Sequence, residues 1–161
     1  MQVIDPPEVV QNQIKKPILQ QDSEGTDVIE LQSLLRYWDA YSSTVGGVFD
    51  SEVHQAVCAW QHRVFLPENG IVDCLTWHTL YTGGPVNMPV LRLGSNGEAV
   101  IILQALLQKV GFYWHQTKSG SYSEFDALTE VAIKDFQCRC GLVSDGVVGF
   151  YTWRALSKLP H

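Results

Sequence analysis

The chain says nearly the same thing twice, and no other feature limits its fold as strongly. Set PILQQDSEGTDVIELQSLL, from Pro17, above PVLRLGSNGEAVIILQALL, from Pro89. Pro17, Leu19, Ser23, Gly25, Val28, Leu31, Gln32, Leu34 and Leu35 each recur 72 residues later. Further on the offset becomes 76. Phe49-Asp50 returns as Phe125-Asp126, Ala56 as Ala132, Gln61 as Gln137, Gly70 as Gly146, Thr76-Trp77 as Thr152-Trp153 and Leu80 as Leu156. The four extra residues fall around HQTKSGSY, a polar loop where insertion costs little. The 161 residues therefore divide into an N-terminal arm (1–16), a first unit (17–83), a linker (84–90) and a second unit (91–158).

Each unit is predicted to hold three helices. Val28, Leu31, Leu34, Leu35 and Trp38 form an apolar stripe of helical period, and Val100, Leu103, Leu106, Leu107 and Val110 repeat it. Asp50 and Asp126 are good N-caps for a second helix, whose apolar face runs through Val53, Ala56, Val57 and Trp60, or Ala132, Ile133 and Phe136. A short third helix is expected from Thr76 to Leu80 and from Thr152 to Leu156. Sustained alternation of period two does not occur, so any sheet is limited to a minor hairpin between the first two helices. The expected fold class is all-α, two tandem three-helix bundles.

SDGVVGFYTWRAL, from Ser144, carries two glycines three apart just ahead of the third helix. A phosphate-cradling loop would follow a buried strand and usually carry a Lys. This turn follows a helix, has no Lys, and returns in altered form as NGIVDCLTW in the first unit. It reads as a structural corner. Asp145 is expected to hold backbone N–H groups in an Asx turn, Gly146 to supply a positive φ, and Thr152 to help hold the helix start.

Net charge is −6, which argues against a nucleic-acid partner and against anionic membrane surfaces. The sequence contains no apolar run near the ~20 residues a membrane span needs. MQVIDPPEVVQNQIKKP does not read as a signal peptide, lacking a basic start and an apolar core. Four cysteines, Cys58, Cys74, Cys138 and Cys140, are too few for a disulfide scaffold at this length.

Hydrolytic chemistry asks for a recognisable set of groups: three metal ligands with an open position, or two facing carboxylates. His54, Cys58 and His62 share one helix side and are the most tempting metal set. Glu130, Lys134 and Cys138 stand at the same places in the second unit and look like a solvated face, so no metal and no cofactor are assigned. Gln32, Gln61, Gln104 and Gln137 could hold ligand amides, but are expected to bridge backbone groups of helix and loop. Trp77 and Trp153 could be sugar platforms, but are expected to pack in the core with the indole N–H at its edge. Tyr37, Tyr41, Tyr113, Trp114 and Tyr151 fall off the core stripes, and are candidates either for ligand contact or for packing between the two units or into the N-terminal arm.

Taken together, LRLGSNGEAVIILQALL, FDALTEVAIKDFQ and GLVSDGVVGFYTWRAL resemble the peptidoglycan-binding-domain-1-like family, closely over 91–156. The first unit matches more distantly over about 19–80, with Trp60 before Gln61, Asn69 for the Asp, Asp73 for the second Gly and Val53 for a Thr. The resemblance implies a non-catalytic three-helix module that attaches to bacterial peptidoglycan, by its glycan or its peptide, in the cell envelope and in company with a cell-wall hydrolase. By position in the turn motif it implies Asp145, Tyr151, Thr152 and Trp153 as ligand contacts, to which the off-stripe Tyr113 and Trp114 are added. Two other readings stand beside it. One is a protein-interaction or pro-domain module of the same fold, for which no cysteine-switch motif is present. The other is a zinc-dependent wall hydrolase.

Overall fold

The computed structural model describes residues 15–112 and 124–159. The chain forms two compact units that divide between Val86 and Asn87. Among the described residues six helices follow in order: α1 (Thr26–Tyr37), α2 (Ser51–Arg63) and α3 (Cys74–Thr82) in the first unit, α4 (Glu98–Lys109), α5 (Ala127–Arg139) and α6 (Phe150–Ser157) in the second. Among the described residues there are no strands, only isolated antiparallel bridges. Glu24 pairs with Val48 and Asn96 with Glu124, on either side of the first helix of each unit. Leu19 pairs with Val72 and Leu91 with Val148, which the sequence did not signal.

In the first unit α1 packs on both α2 and α3. Its stripe buries Val28, Leu31 and Leu35 against Val53, Val57 and Trp60 of α2 and Trp77 and Leu80 of α3, with Leu19, Phe49 and Val72 closing the ends. The second unit buries Leu91, Val100, Leu103, Leu107, Phe125, Ile133, Phe136, Val148, Trp153 and Leu156 at corresponding positions. Apolar burial of this kind supplies most of the drive to fold, at roughly 25 cal/mol per Å² removed from water.

The helix starts follow their capping residues. Asp50 accepts the Val53 N–H at 3.0 Å and Asp126 accepts the Thr129 N–H at 2.9 Å. The third helices begin two residues earlier than the sequence implied, because Asp73 and Gly149 occupy the cap positions. Thr152 consequently does not hold a helix start. It lies inside the first turn, where its hydroxyl accepts from Gln137 Nε2 at 3.1 Å. Tyr41 also departs from expectation. The chain turns back at Asp39 (φ 59), Tyr41 enters the core, and its hydroxyl donates to the Thr44 carbonyl at 3.0 Å.

One exchange between the units shows how polar and apolar solutions substitute for each other. In the first, Trp60 Nε1 donates to the Thr79 hydroxyl at 2.9 Å across α2 and α3. In the second, Phe136 and Ala155 stand at those two places. Donor and acceptor have both been replaced by apolar groups, which leaves nothing buried without a partner.

Candidate functional site

The corner ahead of the third helix is built from one glutamine in each unit. Gln61 Oε1 accepts the Gly70 N–H at 3.0 Å. Its Nε2 donates to Asn69 Oδ1, the Ile71 carbonyl and Thr76 Oγ1 at 3.0, 3.0 and 3.2 Å. Gln137 repeats the set with Gly146, Asp145, Val147 and Thr152 at 3.0, 3.1, 2.9 and 3.1 Å. Asn69 and Asp145 each accept the N–H two residues on, at 2.9 Å, forming the expected Asx turn. Gly70 (φ 70) and Gly146 (φ 76) hold left-handed backbone at its apex.

The glutamines of the first helices fasten the loops that follow those helices similarly. Gln32 Oε1 accepts the Gly47 N–H at 2.8 Å. Gln104 Nε2 donates to the Glu124 carbonyl at 2.9 Å and to Thr129 Oγ1 at 3.0 Å. Its Oε1 is buried with no partner among the described residues. Ser123, the counterpart of Gly47, lies outside them.

The two core tryptophans behave as twins. Trp77 Nε1 donates to the Pro17 carbonyl at 2.9 Å and Trp153 Nε1 to the Pro89 carbonyl at 2.8 Å. Each indole thus pins the segment entering its unit beside the Leu19–Val72 or Leu91–Val148 pairing.

Against this frame the sequence candidates separate by exposure. Trp153 and Thr152 are 1% and 5% exposed and hold the corner from inside. Tyr151 is 47% exposed beside Phe150, their ring centroids 5.3 Å apart. Asp145 is exposed, one carboxylate oxygen serving the turn. Tyr113 and Trp114 lie outside the described residues.

In the first unit the equivalent corner opens into a cleft of about 180 Å³ lined by Gln20, Gln21, His54, Asn69, Gly70 and Ile71. The sequence candidates did not include this set. The signal was available in the pairwise differences, with His54 standing where the second unit has Glu130 and Asn69 where it has Asp145. The His54 ring lies against Gly70 so closely that a Cβ there would fall 2.1 Å from it.

The tempting set on α2 does not converge on one point. His54 Nε2 faces Cys58 Sγ at 3.7 Å, whereas His62 Nδ1 meets Glu68 Oε1 at 2.6 Å. Burial pushes the Cys58 thiol above its usual range, with Glu68 adding to the effect. No group of three or more His, Cys, Asp or Glu among the described residues could hold a metal ion. On the second unit's matching face Glu130 pairs with Lys134 at 3.1 Å, an i, i+4 ion pair.

Residues 24–80 and 96–156 each match the family described as "Putative peptidoglycan binding domain". The chain belongs to the peptidoglycan-binding domain family. Both repeats fall within it, as tandem modules. Among curated relatives, an N-acetylmuramoyl-L-alanine amidase, CwlM, of Mycobacterium tuberculosis is 32% identical over 120 residues, covering 68% of this chain and 27% of that protein. A spore cortex-lytic enzyme of Bacillus cereus is 37% identical over 59 residues, covering 37% of this chain and 23% of that protein. The chain thus spans about a quarter of the length of these relatives. A solved structure titled as the SleB N-terminal domain is 35% identical, with a TM-score of 0.41, covering 41% of this chain and 90% of that one. No helix among the described residues is long and apolar enough to cross a membrane.

Proposed function

We propose that this chain binds bacterial peptidoglycan without cleaving it, as a tandem wall-attachment element of the cell envelope. The observation that carries the reading is that both units fall in the peptidoglycan-binding domain family. The relatives support it by name, an amidase and a cortex-lytic enzyme, each matched over about a quarter of its length. A cell-wall hydrolase is accordingly the proposed companion. The contact surface is the corner ahead of the third helix, with Tyr151 and Asp145 as its exposed members in the second unit and Thr152 and Trp153 supporting them from beneath. Tyr113 and Trp114 remain proposed contacts by sequence position. An exposed tyrosine suits the apolar face of a sugar, and a carboxylate suits its hydroxyls or a neighbouring amide.

The test is sedimentation with purified insoluble sacculi. Saturable co-sedimentation of the intact chain is expected. A Tyr151→Ala variant that retains its helical circular dichroism should lose about tenfold in apparent affinity, a loss of roughly 1.4 kcal/mol. A folded chain that stays in the supernatant at tens of micromolar would overturn the reading. Release of soluble fragments from the sacculi would overturn its non-catalytic half.

A further inference from the structure

We propose that the first unit's cleft is a subsite for the carboxylate end of a short peptide, and that the corresponding corner of the second unit is not. The inference deepens the wall-binding reading, on which it rests for the ligand's source, by naming the chemistry recognised.

Size is the first consideration. The cleft measures about 180 Å³, some six times the ~30 Å³ share of one liquid water. That accommodates a carboxylate and one small side chain, whereas pockets that enclose a whole drug-sized ligand run from about 300 Å³.

The lining offers donors without a competing anion. No carboxylate borders the cleft. Asn69 Oδ1 already accepts from the Ile71 N–H and from Gln61 Nε2. This fixes the orientation of the amide and leaves Nδ2, with two hydrogens, without a protein partner among the described residues. His54 Nε2 faces Cys58 Sγ; in the tautomer that accepts the thiol hydrogen there, Nδ1 carries the ring N–H and is a donor. Gln20 and Gln21 add exposed side-chain amides. A carboxylate can accept from several such donors at once, and hydrogen bonds to an ionised acceptor are the stronger kind. Half-exposed Ile71 supplies an apolar wall suited to a methyl group.

The second unit changes most of these groups and keeps the apolar wall as Val147. Asp145 replaces Asn69, Glu130 replaces His54, Leu93 replaces Gln21 and Arg92 replaces Gln20. A Cβ on Gly146 would meet Glu130 Cγ at 2.9 Å and Lys134 Cε at 3.1 Å, so those side chains lie over the corner. Glu130 is paired with Lys134, and Asp145 in place of Asn69 removes the amide NH₂ that would donate to a ligand carboxylate and puts a like charge there.

The experiment is a titration of the full ¹⁵N-labelled chain, followed by NMR, with three probes. They are N-acetylalanine (each enantiomer), its carboxamide N-acetylalaninamide, and N-acetylglucosamine. N-acetylalanine should shift the Gly70 and Ile71 amides and the Asn69 side-chain NH₂ saturably. The carboxamide should bind at least about tenfold more weakly, since it loses the charge-assisted bonds. The sugar should leave these resonances in place. Asn69→Asp keeps the acceptor that Asp145 supplies in the second unit, so it should retain the fold and weaken N-acetylalanine by at least about tenfold. Equal response to acid and carboxamide, unchanged binding in folded Asn69→Asp, or shifts confined to residues 145–151 would each overturn the proposal. Sacculus sedimentation separates the two readings. A chain that sediments without cleft shifts loses only the carboxylate subsite, while cleft shifts in a chain that does not sediment keep the subsite and remove the wall.

Discussion

At the scale of single residues, the repeated buried glutamines hold both units together. Gln61 ties four groups on one loop and helix start. Replacing it by Ala strands the buried Gly70 N–H, and each such group left unpaired costs about 1–3 kcal/mol. Gln61→Ala should destabilise the first unit by about 3 kcal/mol in urea titrations, and a loss under about 1 kcal/mol would show that the corner re-forms without it. His78 is the second residue with a measurable consequence. It is buried, and desolvation holds its imidazole below the ordinary value of 6.5. The unfolded chain therefore binds the proton more readily, so this contribution to stability is fully present above about pH 6.5 and is lost as pH falls through the folded value. His78→Leu should flatten the decline between about pH 7 and pH 5. An unchanged slope would assign the decline to other groups. Legibility at this scale was uneven. The glutamines and indoles could be read because their positions repeat, whereas Tyr41 and the His54 cleft depend on where loops fold back.

At the scale of elements, each helix start is set locally and each helix pair by complementary faces. Asp50→Ala and Asp126→Ala remove a side-chain cap and should each cost about 1 kcal/mol. Thermal melts should show the Asp126 change as the larger, because Asp126 also accepts the Thr129 hydroxyl at 2.7 Å. Between α2 and α3, the Trp60–Thr79 hydrogen bond predicts non-additivity. Trp60→Phe and Thr79→Ala together, reproducing the second unit's pair, should cost less than the sum of the two single changes by about 1 kcal/mol. Strict additivity in a double-mutant cycle would mean that the bond contributes nothing beyond packing.

At the scale of the whole molecule, two copies of one framework carry different polar chemistry. In the first unit Lys16 donates to Asp27 at 3.0 Å and also to Glu30, which accepts from Tyr81 as well. The second unit has Met88, Ala99, Ile102 and Ser157 at those places. Lys16, and then Tyr81, hold the Glu30 carboxyl below the ordinary carboxylate range. A lowered folded value means stability that is present above the unfolded pKa and lost as pH falls through the folded one. Both Glu30 and His78 lie in the first unit, and their counterparts are Ile102 and Arg154. Calorimetry carried from about pH 7 to about pH 3, across His78's range and below the ordinary carboxylate range, should therefore show the first unit's transition moving down further than the second's. Equal movement of both would remove the cluster from any account of acid sensitivity. Exposure of these charges to water keeps the effect modest.

The sequence by itself determined that there are two units, that each holds three helices, and which apolar residues line them. Those features are local and periodic, and a repeat displays each of them twice. It also determined the Asx turn at Asp145-Gly146, because that chemistry lies within three consecutive residues. Only the tertiary structure decided which polar groups face solvent. Thr152 was buried by the packing of α6, and Tyr151 was left outside. Gln20, Gln21, His54 and Asn69 come from three separate stretches of chain, and they became neighbours when the entering segment paired with the corner at Leu19–Val72. Periodicity reports the environment of one element at a time, whereas a cleft is a property of elements brought together by long-range contact.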